Sequence, residues 1–323
     1  MASAAPNTTT PQPEMNKIAR AKLAKDTINT LIPQILKTNE RARAGVSASE
    51  LIRYNPSLFP KQPTLPPTPT PDAAQEIQQA PTTPQTTPPR IKVIKSDTFD
   101  AAHSLLTANP GPRTRIAVLN MASPLRPGGG VLNGARAQEE SLCMRGTLYA
   151  SLHDSYYRIP ENAAVYSPDV LVFRASDHMT GGGELAKKEW WWVDVISCAA
   201  LRMPEVVVKV MDWKDGEVVK EKAYENDGQR EAMTMKVRLI LQIAMQKGIT
   251  HLVLGALGCG AYGNPPVEVA RIFKKVLCGD RKKKGITVEE SGIEEIVFAI
   301  FDEGENLRVF GEAFGNAGEG GGG

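Results

Sequence analysis

The chain has 323 residues, enough for one sizeable domain with extensions. Lys and Arg number 38 against 36 Asp and Glu, giving a net charge of +2 and a pI near 8.3; with the two signs interspersed, this balance does not mark nucleic acid as the main ligand. Cys143, Cys198, Cys259 and Cys278 are too scattered for a disulfide framework or a metal-ligand pattern, so reduced thiols and no metal are expected. No secretory signal or membrane span is expected either.

The first residues, Met1–Pro13, are small, polar and proline-bearing, which predicts disorder. Ile18, Leu23, Ile28, Leu31, Ile32, Ile35 and Leu36 then recur at helical spacing. They predict an amphipathic helix over Met15–Arg43, bent near Pro33 and packed on the main domain in preference to a partner. Ser49–Tyr54 reads as a further turn. The stretch from Asn55 to Arg90 is dense in Pro, Thr and Gln and cannot bury enough apolar surface to fold alone. Its Leu65–Pro71 portion suits a proline-reading partner, although an extended linker is the simpler reading. The resulting division is an N-terminal extension (1–54), a Pro/Thr-rich linker (55–89), a folded domain (90–314) and a disordered glycine-rich tail (315–323).

The folded part alternates strand and helix. Arg90–Lys95 has strand alternation, Asp97–Leu106 is a crossover helix, and Arg115–Asn120 is a short buried strand. After a glycine loop, Ala137–Ala150 is expected to be helical and to continue toward Tyr157. A turn at Ser167–Pro168 precedes the strand Val170–Phe173, and Thr180–Gly183 reads as a flexible loop. Trp190, Trp191 and Trp192 cannot all face one way on a strand, so either burial or cleft lining fits each of them. Asp212–Gln229 reads as a long polar connection and Glu231–Lys247 as a helix. Thr250–Gly255 is a core strand with His251 structural at its start, and Val267–Leu277 is a helix. Gly279–Lys284 reads as a basic turn, Ile293–Asp302 as the last strand and Asn306–Phe314 as a closing helix. Such alternation predicts a sheet covered by helices on both faces.

Two loops carry candidate chemistry. Pro127–Leu142 reads PGGGVLNGARAQEESL. Gly128, Gly129 and Gly130 let backbone approach a ligand closely. Gln138, Glu139 and Glu140 then open a helix, either as part of a site or simply as acids favoured by the helix dipole. The second loop, Ala256–Pro266, places Gly258, Gly260 and Gly263 between a strand and a helix that starts with proline. Backbone N–H groups there suit a phosphate or diphosphate, although no Walker or strict dinucleotide pattern is present. Tyr262 stands in that loop to cover a sugar or base, or to close the domain.

These segments resemble the poly(ADP-ribose) glycohydrolases, in the short microbial form of that macrodomain family. Asn120–Cys143 carries most of the likeness, while Tyr166–Phe173 and Leu254–Pro266 resemble the other family segments in family order. The helix near Lys17–Ile35 also resembles the family's N-terminal helix, and a fungal or other eukaryotic member is expected. The resemblance implies a three-layer α/β/α macrodomain with a mixed, mostly parallel sheet and an N-terminal helical extension. It implies Glu140 as the catalytic carboxylate and Glu139 as a holder of the terminal ribose. Asn120 and Gln138 would support or contact that ribose, and Gly128–Gly130 would line the ribose–phosphate side. Gly258, Cys259, Gly260, Ala261 and Tyr262 would wrap the diphosphate, with Tyr262 where the family commonly has phenylalanine.

The implied activity is exo-acting hydrolysis of ribose–ribose bonds in poly(ADP-ribose), releasing ADP-ribose without a cofactor. ADP-ribosylated proteins would be partners of a monomer working in the nucleus or cytoplasm, where it would reverse ADP-ribosylation in the DNA damage response. Removal of single ADP-ribose units is the alternative activity. A reader without turnover is a third possibility, against which the intact Gln138-Glu139-Glu140 speaks.

Overall fold

The computed structural model describes residues 15–58, 88–176, 183–214, 217–279 and 292–315. The expectations for Met1–Pro13, Leu65–Pro71 and most of the Pro/Thr-rich stretch lie outside the described residues, as do those for most of the Thr180–Gly183 loop, most of the basic turn and the glycine tail.

Among the described residues, seven strands form the main sheet. In chain order they are β1 (Glu50–Arg53), β2 (Arg90–Lys95), β3 (Ile116–Met121), β4 (Ala163–Val172), β5 (Trp191–Cys198), β8 (His251–Leu254) and β9 (Glu295–Ile300). In space the order is β1-β4-β5-β3-β8-β9-β2. The block β5-β3-β8-β9-β2 is parallel, and β4 and β1 extend it by antiparallel pairing. The near-continuous apolar runs of β3, β8 and β9 fit strands buried on both faces.

Helices cover both faces. On one side α7 (Asp227–Gln246), α8 (Pro266–Cys278) and α9 (Glu305–Phe314) pack on Leu119, Ile196, Leu254 and Phe298. On the other, α4 (Thr98–Ala108) and α5 (Gln138–Arg145) pack on Val118, Val195 and Val253. Ala24 of α1 (Lys17–Asp26) joins this second core. The fold is therefore a three-layer α/β/α arrangement with a mixed sheet and an N-terminal helical extension.

That extension docks as expected, with different internal geometry. A π-helical stretch, Thr27–Leu31, separates α1 from α2 (Ile32–Thr38) just before Pro33, whose missing N–H and bulky ring an α-helix accommodates poorly. The helical run breaks at Asn39, which caps α3 (Glu40–Ser47) by accepting the Ala42 N–H at 3.0 Å. Ile32 and Ile35 are buried with Leu171 and Phe173, each such side chain contributing about 1.5–3 kcal/mol.

Four expectations need correction. Ser49–Tyr54 is not a turn, because Glu50–Arg53 forms the edge strand β1 on β4. The helix after the glycine loop does not run on to Tyr157. It ends at Arg145, where extended Gly146 bridges to Val172, and a separate short helix α6 (Leu148–Ser151) follows. Ser167–Pro168 is a bulge inside β4, the usual way for a strand to absorb a proline, with Asp169 at φ 49°. Most of Asp212–Gln229 is not a connection: β6 (Val206–Lys214) and β7 (Glu217–Tyr224) make a two-stranded ribbon, followed by the start of α7. The tryptophans pack away from the cleft described below. Trp191 lies against Phe99 and His103, and Trp192 lies under Arg41.

Candidate active site

Both glycine loops converge beyond the carboxyl ends of the parallel strands, the usual position of a ligand crevice in an α/β sheet. The cleft encloses about 720 Å³. One wall is built by Gly129, Gly130 and Ala135–Ser141, and the facing wall by Gly258 and Gly260–Tyr262. Ser96–Thr98, Ile300–Asp302 and Asn306 also line it.

Glu139 and Glu140, in the first turn of α5, are both buried. Their oxygens have different surroundings. Glu139 Oε2 accepts the Ser123 N–H at 2.8 Å, and its Oε1 lies 3.5 Å from Asn120 Nδ2. Glu140 Oε1 accepts the Gly130 N–H at 2.8 Å. Glu140 Oε2 is buried and has no hydrogen-bond partner among the described residues. One carboxylate is thus held at both ends, and the other keeps an oxygen uncommitted.

Gly129 shows why this loop uses glycine. Its φ is +56°, and a Cβ there would come within 2.8 Å of both Glu139 Oε2 and Glu140 Oε1. The carboxylates pack directly against bare backbone. Gly128, at φ +62°, packs on the Tyr149 ring and does not line the cleft.

Burial of the Glu139 carboxyl raises its pKa from 4.5 to about 8, with the Ser123 N–H opposing the rise and the neighbouring Glu140 charge adding to it. The rise favours the protonated form of Glu139 near neutral pH. Burial also raises the pKa of Tyr262, with the Ser123 side chain opposing, so the phenol stays protonated.

Gln138 lines the cleft, but its amide is engaged in the fold. Its Oε1 accepts the Met121 N–H at 2.7 Å, and its Nε2 donates to Thr98 Oγ1 at 3.0 Å and Leu119 O at 2.7 Å. It locks the start of α5 to β3. Asn120 is fully buried behind Glu139, donates to Ser197 Oγ at 3.0 Å and does not line the cleft. Both act here as supports.

In the second loop Gly258 has φ +74°, and a Cβ would meet Ala200 Cβ and Asn264 Nδ2 at 2.4 Å. Gly260 faces open space. Gly258, Gly260, Ala261 and Tyr262 line the cleft, whereas Cys259 packs toward the core and does not. Asn264 ties the loop down by donating to Leu201 O at 2.7 Å and accepting from Tyr224 Oη at 2.9 Å. His251 is buried at the start of β8, with its Nδ1 2.9 Å from Thr250 Oγ1 and away from the cleft. Ser123 and Thr98 are functional supports that the sequence reading did not single out. Ser123 acts through a backbone N–H, which leaves no residue-type signature.

Fold and site together define a macrodomain-like protein with a carboxylate pair set against a glycine loop. The family model for the microbial-type poly(ADP-ribose) glycohydrolase (PARG) catalytic domain matches residues 47–175, which include β1, the glycine loop and both glutamates. Among solved structures, PARG from Thermomonospora curvata is 24% identical over 92% of this chain and 98% of its own, with a TM-score of 0.64. The same enzyme has also been solved bound to the inhibitor ADP-HPD, at a TM-score of 0.62. PARG from Deinococcus radiodurans in complex with ADP-ribose is 26% identical over 70% of this chain and 84% of its own, with a TM-score of 0.53. No curated protein matches the chain. The expectation of a fungal or other eukaryotic member is corrected by these findings: the matching model is the microbial type, and the solved relatives are bacterial.

Proposed function

We propose that the chain is a poly(ADP-ribose) glycohydrolase that cleaves ribose–ribose O-glycosidic bonds from the chain end and releases ADP-ribose. The observation that carries this reading is Glu140 Oε2, buried in the cleft with no hydrogen-bond partner among the described residues, while the other three oxygens of the Glu139–Glu140 pair face donors of the fold.

The facing glycine loops suit a diphosphate, with the N-terminus of α8 behind the second loop. The Phe301 ring at the other part of the cleft suits a flat base. With the diphosphate in the loops, the terminal ribose lies against Gly129, Gly130 and Glu140. Glu140 donates a proton to the leaving ribose oxygen as the glycosidic bond breaks. Positive charge at the anomeric carbon is balanced by substrate phosphate and carboxylate. Ionised Glu140 then takes a proton from water, which attacks that carbon and restores the acid. Glu139 holds the ribose, and Tyr262 covers the sugar.

The test is incubation of the full chain with defined poly- and mono-ADP-ribosylated substrates, with product lengths resolved. Free ADP-ribose appearing from polymer ends supports the reading. Release from mono-ADP-ribosylated protein alone would place the activity there instead, and binding without turnover would make the protein a reader.

A further inference from the structure

The N-terminal helix meets the catalytic wall at two points. Arg20 Nε donates to the Gly134 carbonyl at 3.0 Å. Gly134 has φ +68°, and a Cβ there would lie 2.1 Å from the Lys17 carbonyl oxygen, so the helix backbone sits flush on the loop. From Gly134 the contacts run inward. The N–H groups of Asn133 and Ala135 donate to the Gly130 carbonyl at 2.9 and 3.2 Å, and the Gly130 N–H holds Glu140 Oε1. The second point is buried Arg174, which donates to Thr27 Oγ1 at 3.0 Å and to the Met144 carbonyl at 2.7 Å. Thr27 opens the π-helical stretch, and Met144 lies in the last turn of α5, the helix that carries both glutamates.

We infer that Arg20 is a positioning residue for Glu140: the N-terminal helix clamps the glycine loop through Gly134 while Arg174 clamps the catalytic helix, and together they set the aim of Glu140 Oε2. This rests on the glycohydrolase reading for its consequence in turnover, though the clamp itself does not. Simple packing would not require an arginine at position 20. Ala24 and Ile32 already bury apolar surface, whereas Arg20 is half-buried and spends its guanidinium on backbone carbonyls. Either tether, when cut, leaves the diphosphate loop untouched, because that loop hangs on Asn264.

The full chain is compared with Arg20→Ala, Arg20→Lys and Thr27→Val for polymer hydrolysis, ADP-ribose affinity, melting temperature and amide exchange at Gly130 and Asn133. Arg20→Ala is expected to lower kcat by about 10-fold or more, since misplacement of 1 Å can cost on the order of 100-fold. KM and ADP-ribose affinity should stay within about twofold, and exchange at Gly130 should accelerate as its hold on Glu140 loosens. Arg20→Lys retains a donor and should recover most of kcat, while Thr27→Val should act in the same direction as Arg20→Ala. Unchanged kcat and unchanged Gly130 exchange in folded Arg20→Ala protein would overturn the inference, as would a parallel fall in kcat and affinity. If Arg20→Ala does not fold, Thr27→Val and Arg20→Lys carry the same readouts. A wild type that hydrolyses nothing would count against the glycohydrolase reading, and amide exchange would still decide the clamp.

Discussion

Replacing Glu139 with glutamine should change how the stability of the fold responds to pH. Burial lifts the Glu139 pKa from 4.5 to about 8. Between those values the folded chain keeps a proton that the unfolded chain has released. Folding takes up a proton across that window, so stability falls as pH rises, by about 1.4 kcal/mol per pH unit. The contribution is fully present below pH 4.5 and lost by about pH 8, the reverse of a salt-bridged carboxylate. At most the whole change is on the order of 5 kcal/mol, which is large against a typical domain stability of about 5–15 kcal/mol. Water entering the cleft would reduce it to a few kcal/mol. Glutamine has nearly the shape of the protonated acid and does not titrate. Urea unfolding of both proteins from pH 5 to pH 9 is the assay, read at constant m. The stability of Glu139→Gln relative to wild type should rise by about 2–4 kcal/mol across that range. Parallel curves would show that Glu139 is already ionised at neutrality and would refute the raised Glu139 pKa.

The two glycines of the second loop should separate binding from folding. Gly260→Val enters open space, so melting should shift by no more than about 2 °C, while calorimetry should show ADP-ribose affinity falling by about 10-fold or more because a branched side chain blocks backbone approach. Gly258→Val should instead destabilise by about 2 kcal/mol or more, because its Cβ would collide with Ala200 and Asn264. Tyr262→Ala should weaken ADP-ribose binding by about 5- to 30-fold through loss of the ring, whereas Tyr262→Phe keeps the ring and should bind within about threefold of wild type.

How much of this was legible in the sequence depends on where the physical signal resides. The buried runs of β3, β8 and β9 have no polar face to confuse them, so their apolar composition marks the strands. The glycine loop and the glutamate pair were legible because both their residue types and their spacing matter. The strand β1 is four residues, Glu-Leu-Ile-Arg, too short for a period to emerge. In β6, Val208 and Val210 are exposed on either side of Lys209, so these apolar positions mark no buried face that periodicity could detect. Ser167–Pro168 reads as a turn because proline cannot donate to a sheet ladder, and only the pairing on both sides shows a bulge. At the site, residue type located Gln138 but could not show that its amide is used up by Met121, Leu119 and Thr98. Cys259 fell within the right loop, yet its side chain turns inward. Arg20 looks like any solvated helix arginine until Gly134, 114 positions away, is placed beside it.

The central claim is that Glu140 alone carries the proton to and from the scissile bond, and hydrolysis by Glu140→Gln tests it most directly. Glutamine preserves size and can still accept the Gly130 N–H, but it cannot donate and recover a proton. Chain hydrolysis and ADP-ribose affinity are measured side by side for wild type and variant, with melting curves to establish folding. The account predicts that turnover on poly(ADP-ribose) falls by about 10²- to 10⁴-fold, while ADP-ribose affinity stays within about threefold of wild type. Near-wild-type hydrolysis by folded Glu140→Gln protein would contradict it.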